Sequence, residues 1–389
     1  MDEPAANGID LEGMRRHNTA ATLRALHQGR DLTLGQLTHA TGLSRRTVEK
    51  IIASFVDLQW AVERRPSGTA SAGRPARSFA FVASAKVALS IYFARDQVEL
   101  SVCDLYGTSL GRWSEIVSAK AGLETRMSAA RGLARQAFAN IGIGRERVGA
   151  VVIAASGVVH DNGSVDIGPL LGHSLSTGLD IGLYDLAGKL RSEFPCPIFI
   201  ENDAKLAAIG EAWRGAAAGC QNFACYYTYG PWVGVGIVID GTIHRGVDGR
   251  AGEVLWADAF ERQAIAENPI SHLGSPDLVR AAKAASIVES ARNNDPDALD
   301  QIRNYARLMA PGIGAMVWLL APEAIVIGGT LANAGDLLLP MLSEFVTLRV
   351  PPKTRLLASD LGTSAVSLGA LRTALDRIEE SFADLVVAS

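Results

Sequence analysis

Cysteine is scarce in this sequence and never occurs in closely spaced pairs. The four cysteines, Cys103, Cys196, Cys220 and Cys225, form no Cys-x-x-Cys motif. Disulfide frameworks and zinc ribbons both need clustered cysteines, so the spacing argues against both. Reduced thiols in a cytoplasmic protein are the expectation.

A long apolar run is also missing. The most apolar window, residues 308–329, is interrupted by Pro311, Gly312, Gly314, Pro322 and Glu323. A membrane-spanning helix needs about 20 consecutive apolar residues. We therefore predict a buried helix, a turn and a buried strand here, with no membrane partner. The N-terminus is acidic and has no apolar stretch, so no signal peptide is expected.

The chain lacks the overall positive charge of many nucleic-acid-binding proteins, since its net charge is −4 over 389 residues. The charge is nevertheless uneven. Residues 1–80 contain eleven Lys and Arg against eight Asp and Glu, a formal charge of +3 that leaves −7 on the remainder. This asymmetry is expected if only the N-terminal part meets DNA.

The first 60 residues carry the spacing of a helix-turn-helix. Residues 11–28 are predicted as a first helix, and Thr33 can cap a short second one. Gly42 can end that helix in the left-handed conformation, and Ser44 is a good N-cap for a third. In the third helix apolar residues recur at helical spacing and predict a buried face, at Val48, Ile51, Ile52, Phe55 and Leu58.

The outward-pointing residues at the start of the third helix are polar or basic. Cations in the first turn oppose the helix dipole, at about 0.3–1 kcal/mol each. They suit an anionic partner, because arginine pairs with phosphates and reads guanine edges. A solvated basic face is the alternative. We predict that DNA is contacted by Ser44, Arg45, Arg46, Thr47 and Lys50.

Two short strands, at residues 60–65 and 78–82, are predicted to flank a flexible wing and linker at residues 66–84. Within it, Arg74 lies in a Gly-Arg-Pro segment and Arg77 follows shortly after. An arginine on a narrow extended backbone fits the minor groove of A·T-rich DNA. Both arginines are predicted to bind DNA. A plain interdomain linker is the alternative, and both can hold.

Beyond about residue 85, short apolar strands alternate with helices, which indicates an α/β fold. Strands are predicted at residues 87–93, 98–105, 148–154, 198–201, 223–227, 233–239 and 324–327.

Four motifs then follow in order: Glu201-Asn202-Asp203-Ala204, a glycine-rich segment at 234–241, Gly249-Arg250-Ala251-Gly252-Glu253, and Ile325-Val326-Ile327-Gly328-Gly329. With the N-terminal helices and the Gly-Arg-Pro segment, this ordered set resembles the ROK family (repressors, open reading frames, sugar kinases) over roughly residues 12–375. The resemblance implies an actin-like, hexokinase-like two-lobed α/β domain preceded by an α+β winged helix-turn-helix domain.

The resemblance also implies a domain division and an assembly. The winged helix-turn-helix domain covers residues 1–82. The first lobe covers 85–200 together with a C-terminal helix at 367–389, and the second lobe covers 201–366. Repressors of the family are typically dimers or tetramers that release palindromic operators when a sugar binds. A homodimer or homotetramer is therefore expected.

The resemblance assigns roles to four residues of a sugar cleft. Asp203 falls on the position of the kinase base, although it can equally serve as a helix N-cap. Asn202 and Glu253 fall on sugar-binding positions, and Gly157 on a glycine that lets the sugar approach the backbone. We expect these four residues to bind a small carbohydrate effector.

Two departures from the family's kinases concern the phosphate loops. The loop between the first two strands, residues 90–96, has no glycine where the kinases have Asp-x-Gly-Gly-Thr. The second loop is Gly230-Pro231-Trp232-Val233-Gly234, in which Pro231 has no N–H to donate. Backbone amides are what binds phosphate in such loops. We therefore expect no ATP cofactor and no catalytic residue.

The family's zinc motif is absent as well. Gly252-Glu253 is followed by Val254-Leu255-Trp256 rather than by the usual histidine, and no cysteine follows Cys225. Tetrahedral zinc sites need such ligands, so neither structural zinc nor another metal is expected.

These observations predict a DNA-binding transcriptional regulator of carbohydrate-metabolism genes, with repression as the family's usual mode. The alternatives are a ROK sugar kinase with an added DNA-binding domain, and a constitutively DNA-bound regulator with a degenerate pocket.

Overall fold

A computed structural model of the chain describes residues 11–64, 77–166, 183–254, 257, 260–347 and 353–387. By its internal contacts the chain divides into two compact units. The first comprises Met1–Ala88, Asp104–Thr108 and Leu375–Ser389. The second comprises Leu89–Cys103 and Ser109–Ala374. The predicted boundaries of the two lobes stay a prediction.

The N-terminal part of the first unit consists of helices followed by an antiparallel sheet in which the third strand lies between the other two. Its elements are α1 (Leu11–Gly29), β1 (Asp31–Thr33), α2 (Leu34–Thr41), α3 (Arg45–Asp57), β2 (Ala61–Arg64) and β3 (Ser78–Phe81).

The remaining elements alternate strands with helices. In chain order they are β4 (Val87–Phe93), β5 (Gln97–Asp104), β6 (Ser109–Ile116), α4 (Leu123–Ile141), β7 (Val148–Ala155), β8 (Val158–Val159), β9 (Val165–Asp166), β10 (Leu183–Tyr184), α5 (Leu186–Leu190), β11 (Ile198–Asn202), α6 (Asp203–Arg214), β12 (Phe223–Tyr229), β13 (Trp232–Ile239), β14 (Thr242–Ile243), α7 (Arg262–Glu267), α8 (Leu278–Arg292), α9 (Pro296–Leu320), β15 (Ala324–Gly329), α10 (Gly335–Thr347), β16 (Arg355–Ala358), α11 (Ser364–Glu380) and α12 (Phe382–Val387).

The predicted caps of the helix-turn-helix are confirmed. The Thr33 hydroxyl accepts the N–H of Gln36, and the Gln36 side chain accepts the N–H of Thr33. Gly42 ends α2 with φ +69°, and its N–H donates to the Thr38 carbonyl. The Ser44 hydroxyl accepts the N–H of Thr47 at 3.2 Å, which starts α3. Local sequence thus sets the sharp turn between the two helices.

An aromatic cluster forms part of the core of the first unit. Trp60 and Phe81 lie against Phe382 of α12, with ring centroids 5.9 and 6.4 Å from it. The His27 ring stacks on Tyr106 at 5.3 Å, and its Nε2 lies 3.0 Å from the Leu105 carbonyl oxygen. The N-terminal helices therefore share their core with the turn at 104–108 and with the last helix.

The second unit contains two five-stranded sheets with the same strand order. Written in the same direction, the orders are β11-β7-β4-β5-β6 and β16-β15-β12-β13-β14. In each sheet the strand that comes first in the chain, β4 or β12, is therefore central. In both sheets the hairpin strands pair antiparallel, as β5–β6 and β12–β13 do. In both, later strands pair parallel, as β7–β11 and β12–β15 do. This repetition agrees with the predicted two-lobed fold.

Helix α6 packs backbone to backbone against its neighbours. A Cβ on Gly236 of β13 would lie 2.5 Å from the Ala204 carbonyl oxygen. A Cβ on Gly369 of α11 would lie 1.8 Å from the Leu206 carbonyl oxygen. Only glycine permits such contacts. They position the start of α6, where Asn202 and Asp203 lie.

The apolar window at 308–329 forms the end of α9, a turn and β15, as predicted, and α9 continues through Pro311. No helix in the described part of the chain is both long and apolar enough to cross a membrane.

Candidate functional site

The start of α3 presents cations to solvent. Arg45, Arg46 and Lys50 are exposed, and the side chains of Val48 and Ile52 are buried on the opposite face. Arg45 donates to the Glu49 carboxylate at 3.1 Å. The side chains of Arg46 and Lys50 make no hydrogen bond or ion pair with the residues that the structure describes. Two of the predicted DNA contacts are therefore available to an external anion.

The two predicted wing arginines are placed differently. Arg77 precedes β3 and donates through Nε to the Glu63 carboxylate of β2 at 2.6 Å. This carboxylate raises the pKa of Arg77. The pair links β2 to the start of β3, and because it is exposed, solvent screening keeps its contribution to stability small. Arg74 and residues 66–76 of the predicted wing and linker lie outside the described residues.

A pocket in the second unit lies where β7 and β11 end and α6 begins. Its lining includes Ser156, Gly157, Asn202, Asp203 and Glu253. All four predicted effector-binding residues are among them. The rest of the lining is formed by Arg95, Tyr227, Tyr229, Trp232, Val233 and Gly234.

Asn202 serves as the N-cap of α6. Its Oδ1 accepts the N–H of Lys205 at 3.1 Å, and its Nδ2 donates to the Gly157 carbonyl at 2.9 Å. The sequence offered Asp203 for the capping role, but the structure assigns the cap to Asn202. The cap therefore leaves Asp203 to face the pocket from the first turn of the helix.

The Asp203 carboxylate is buried and well supplied with donors. Oδ1 accepts the N–H of Ala204 at 2.9 Å. Oδ2 accepts the hydroxyl of Ser156, and the hydroxyl of Tyr92 at 3.4 Å. Burial raises the pKa of Asp203, and the hydrogen bond from Ser156 counteracts part of that rise. A carboxylate so placed can accept a hydrogen bond from a ligand hydroxyl.

Glu253 is positioned by a loop that lies directly on β13. Gly252 has φ +85°, and a Cβ on it would lie 1.8 Å from the Val235 carbonyl oxygen. The Val235 N–H donates to the Gly252 carbonyl at 3.1 Å. Burial raises the pKa of Glu253, and the nearby Lys205 ammonium lowers it. Only a glycine at position 252 lets the loop bring Glu253 to the pocket.

Lys205 is a buried cation close to the carboxylates of the pocket. Its side chain is almost fully buried, and burial lowers its pKa. The carboxylates of Glu253, Glu201 and Asp203 raise it. The ammonium thus offsets the negative charge that the pocket concentrates.

The first phosphate-loop position is occupied by a tightly held hairpin between β4 and β5. The guanidinium of Arg126, fully buried, donates to the carbonyls of Ala94 and Arg95 at 2.7 Å each. The Tyr229 hydroxyl donates to the Asp96 carboxylate. The backbone here is bound by the protein's own side chains.

At the second phosphate-loop position, too, the backbone is hydrogen-bonded to a side chain of the protein. The Gly230 N–H donates to the Thr330 hydroxyl at 3.1 Å. Pro231 has no N–H to offer. The Arg95 guanidinium lies 4.0 Å from the ring centroid of Trp232. The Arg95 and Trp232 side chains therefore bring the two loops into contact.

Sequence reasoning missed several residues of this pocket. Tyr227 and Tyr229 alternate along β12 and so share one face of the strand, which was a readable signal. Ser156, Arg95 and Lys205 carried no such signal, because their roles depend on contacts between distant segments.

The chain is similar to proteins described as glucokinases and as xylose repressors. The sequence model of the ROK family matches residues 141–255 and 263–377. A xylose repressor of Bacillus spizizenii is 23% identical over 385 residues, covering 92% of this chain and 95% of that protein. A glucokinase of Halalkalibacterium halodurans is 32% identical over 197 residues, which span 43% of this chain and only 59% of the glucokinase.

A solved structure described as a ROK family transcriptional regulator, homolog of the E. coli MLC protein, has the same fold. Its TM-score is 0.69 at 20% identity, and the match covers 97% of this chain and 100% of that one. The predicted fold class, an actin-like two-lobed domain preceded by a winged helix-turn-helix, is confirmed.

Proposed function

This chain belongs to the ROK family, and on that premise we propose that it is a sequence-specific DNA-binding transcriptional repressor of carbohydrate-metabolism genes. A sugar or sugar derivative bound in the pocket around Asp203 controls it. The protein acts as a homodimer or homotetramer. The observation that carries the proposal is the exposed pair Arg46 and Lys50 at the start of α3, in a chain similar to a xylose repressor over 92% of its length.

A binding titration on the DNA upstream of the protein's own gene tests the DNA-binding half. We expect tight binding to that DNA and weak binding to a shuffled duplex of equal length. Binding should weaken with salt, because the release of counterions from the DNA is less favourable at high salt concentration. Arg46→Ala should weaken specific binding. Arg135→Ala, at an exposed arginine of α4, is the matched control and should bind normally. Equal affinity for both duplexes would refute the proposal.

The enzymatic alternative is a sugar kinase with an added DNA-binding domain. It is favoured by the likeness to a glucokinase and by Asp203 at the position of the kinase base. We propose instead that the chain is not a kinase. At the first phosphate-loop position the Arg126 side chain binds the Ala94 carbonyl, and at the second the Gly230 N–H is bonded to Thr330. Incubation with ATP and a panel of hexoses and acetylated hexosamines should give no turnover. Turnover that Asp203→Asn abolishes would establish the kinase.

A thermal-shift screen tests the remaining alternative, a constitutively DNA-bound regulator with a degenerate pocket. A ligand present at a hundredfold its Kd stabilises the folded state by about 2.7 kcal/mol, so an effector raises the Tm measurably. We expect at least one carbohydrate to raise the Tm and to release the DNA.

A further inference from the structure

A groove between α1 and α3 adjoins the predicted DNA contacts of the first unit. Its volume is about 310 Å³. Both helices contribute to its lining, α1 with Arg15 and Asn18 among others, and α3 with Thr47, Lys50, Ser54 and Phe55. Because Thr47 and Lys50 are predicted DNA contacts, the groove is continuous with the proposed DNA-binding surface. It adds residues of α1 that no motif of the sequence assigned to DNA.

The charge of the groove is positive. Arg15 and Lys50 are both exposed, and the described residues that line the groove include no Asp or Glu. The two cations come from different helices and are not neutralised by a carboxylate of the lining. The groove therefore attracts an anion.

The polar side chains of the groove have hydrogen-bond donors to offer. Those of Arg15, Asn18, Lys50 and Ser54 make no hydrogen bond or ion pair with the residues that the structure describes. A guanidinium, an amide, an ammonium and a hydroxyl can all donate. Proteins use these same groups to bind the phosphate oxygens of DNA.

The other arginines of α1 have partners within the first unit. The Arg16 guanidinium pairs with the Asp384 carboxylate of α12. Arg24 donates to the Glu379 carbonyl of α11 at 3.3 Å. Of the three arginines of α1, only Arg15 is thus left without a partner among the described residues.

Both helices that carry the cations are packed on the core of the first unit. Leu23 of α1 and Phe55 of α3 are completely buried. Binding groups on packed helices are positioned more precisely than groups on loops. Binding an anion therefore requires only the side chains of Arg15 and Lys50 to become ordered.

We propose that this groove binds a phosphate group of the DNA backbone. Arg15 of α1 and Lys50 of α3 bind the phosphate oxygens, and Asn18 and Ser54 donate further hydrogen bonds. Phosphate contacts fix the register of a protein on the duplex but carry no sequence information directly. The groove therefore contributes affinity, while base reading is left to the exposed residues at the start of α3. This inference rests on the proposed DNA binding and adds to it a contact from α1.

The salt dependence of DNA binding tests the inference. The full-length protein and its Arg15→Ala variant are titrated with the DNA upstream of the protein's own gene, and with a shuffled duplex, over a range of salt concentrations. Loss of one phosphate-binding cation lowers the slope of log K against log salt by about 1, so a dimer should lose about 2. Affinity at low salt should fall roughly tenfold or more. The loss should be equal on both duplexes, because every duplex presents phosphates.

Further variants assign the effect to the charge of the groove. Arg15→Lys keeps the positive charge and should keep the wild-type slope. Ser54→Glu puts a carboxylate at an exposed position of the groove and should weaken binding to both duplexes. Ser54→Gln, of similar size but uncharged, should have a much smaller effect. Arg135→Ala, at an exposed arginine of α4, should bind like the wild type. Circular dichroism and Tm establish that each variant is folded.

A chemically altered duplex locates the phosphate. Single phosphates of the upstream DNA are replaced, one at a time, by an uncharged methylphosphonate. At one position in each half-site the replacement should weaken binding of the wild type and leave Arg15→Ala unaffected, because the variant already lacks the contact. If every replacement weakens both proteins by the same factor, Arg15 binds no phosphate and the inference is wrong.

The outcomes separate this inference from the proposed function. If the wild type prefers the upstream DNA and folded Arg15→Ala keeps both its affinity and its slope, the inference is wrong and the DNA-binding repressor stands. If the wild type binds both duplexes alike, the sequence-specific repressor is wrong, and the slope of Arg15→Ala on either duplex still decides the inference. If the wild type binds neither duplex, both are wrong.

Discussion

At the scale of single residues, the pocket is defined by carboxyl groups whose surroundings oppose their ionisation. Burial is the main cause of the raised pKa at both Asp203 and Glu253. The donors Ser156 and Tyr92 and the ammonium of Lys205 compensate only in part. The protein therefore keeps two strong acceptors in the pocket at the expense of stability, which is typical of binding sites.

Asp203→Asn should make the protein more stable at neutral and alkaline pH. The folded pKa of Asp203 is raised above that of the unfolded chain, so the folded state binds the proton more tightly. The stability of the wild type therefore falls as the pH rises from the unfolded pKa, about 3.9, through the folded pKa. Above the folded pKa the full cost of burying the Asp203 charge is present. Urea unfolding across pH should show an advantage for asparagine that vanishes in acid.

The control for this measurement is Glu115→Gln, which alters an exposed carboxylate on β6. Its stability difference from the wild type should vary little over the same pH range. A constant difference for Asp203→Asn as well would contradict the assignment of a destabilising buried charge.

Ser44 caps α3 and is also proposed to contact DNA, and two substitutions separate these two roles. Ser44→Ala removes the N-cap of α3 and should cost about 1 kcal/mol of unfolding free energy. Ser44→Asp keeps a cap and should restore stability. The added negative charge would face the DNA phosphates, so the Ser44→Asp variant should still bind operator DNA poorly. Denaturant titration and DNA titration of both variants measure the two effects.

At the scale of elements, glycines allow backbones to meet around α6 and β13. Gly252→Ala forces a Cβ to within 1.8 Å of the Val235 carbonyl oxygen at φ +85°. It should cost about 1–3 kcal/mol and displace Glu253, so that ligand affinity falls with it.

Gly132→Ala is the matched control for that substitution. Gly132 lies in α4, and a Cβ there meets no atom within 4 Å. Alanine is the better helix former by about 0.5–1 kcal/mol, so this variant should be more stable and should bind ligand normally. Calorimetric Tm values compare the two, and equal effects of both changes would contradict the packing argument.

At the scale of the whole molecule, the N-terminal 80 residues carry a net charge of +3, against −7 for the remainder. This distribution favours a single orientation of the chain on DNA. One helix-turn-helix reads too few base pairs for high specificity, so a two-fold dimer is the economical arrangement.

The assembly can be measured directly. We expect light scattering to give at least a dimer of the 41.1 kDa chain. Footprinting should show two half-sites about one helical turn apart, roughly 10 base pairs, or a multiple of that. A monomer bound to a single half-site would contradict the proposed arrangement.

Local patterns were sufficient to predict much of the fold. The caps at Thr33, Gly42 and Ser44 were predicted correctly because capping depends on a few neighbouring residues. Strand β4 was predicted with its observed bounds because it is largely apolar, and it is fully buried. Strand β6 was not predicted, because it lies at the edge of its sheet, mostly exposed, and lacks a regular apolar pattern.

The residues of the candidate site were also predictable only in part. Asn202, Asp203, Gly157 and Glu253 could be named from motifs, and the structure brings all four to one pocket. The pairing of Arg95 with Trp232, the support from Arg126 and the buried Lys205 could not be named, since each depends on segments far apart in the chain. Short-range hydrogen bonds and apolar periodicity depend on residues close together in the chain, so they can be inferred from the sequence. Charge and shape in a pocket arise only where the folded chain brings distant residues together.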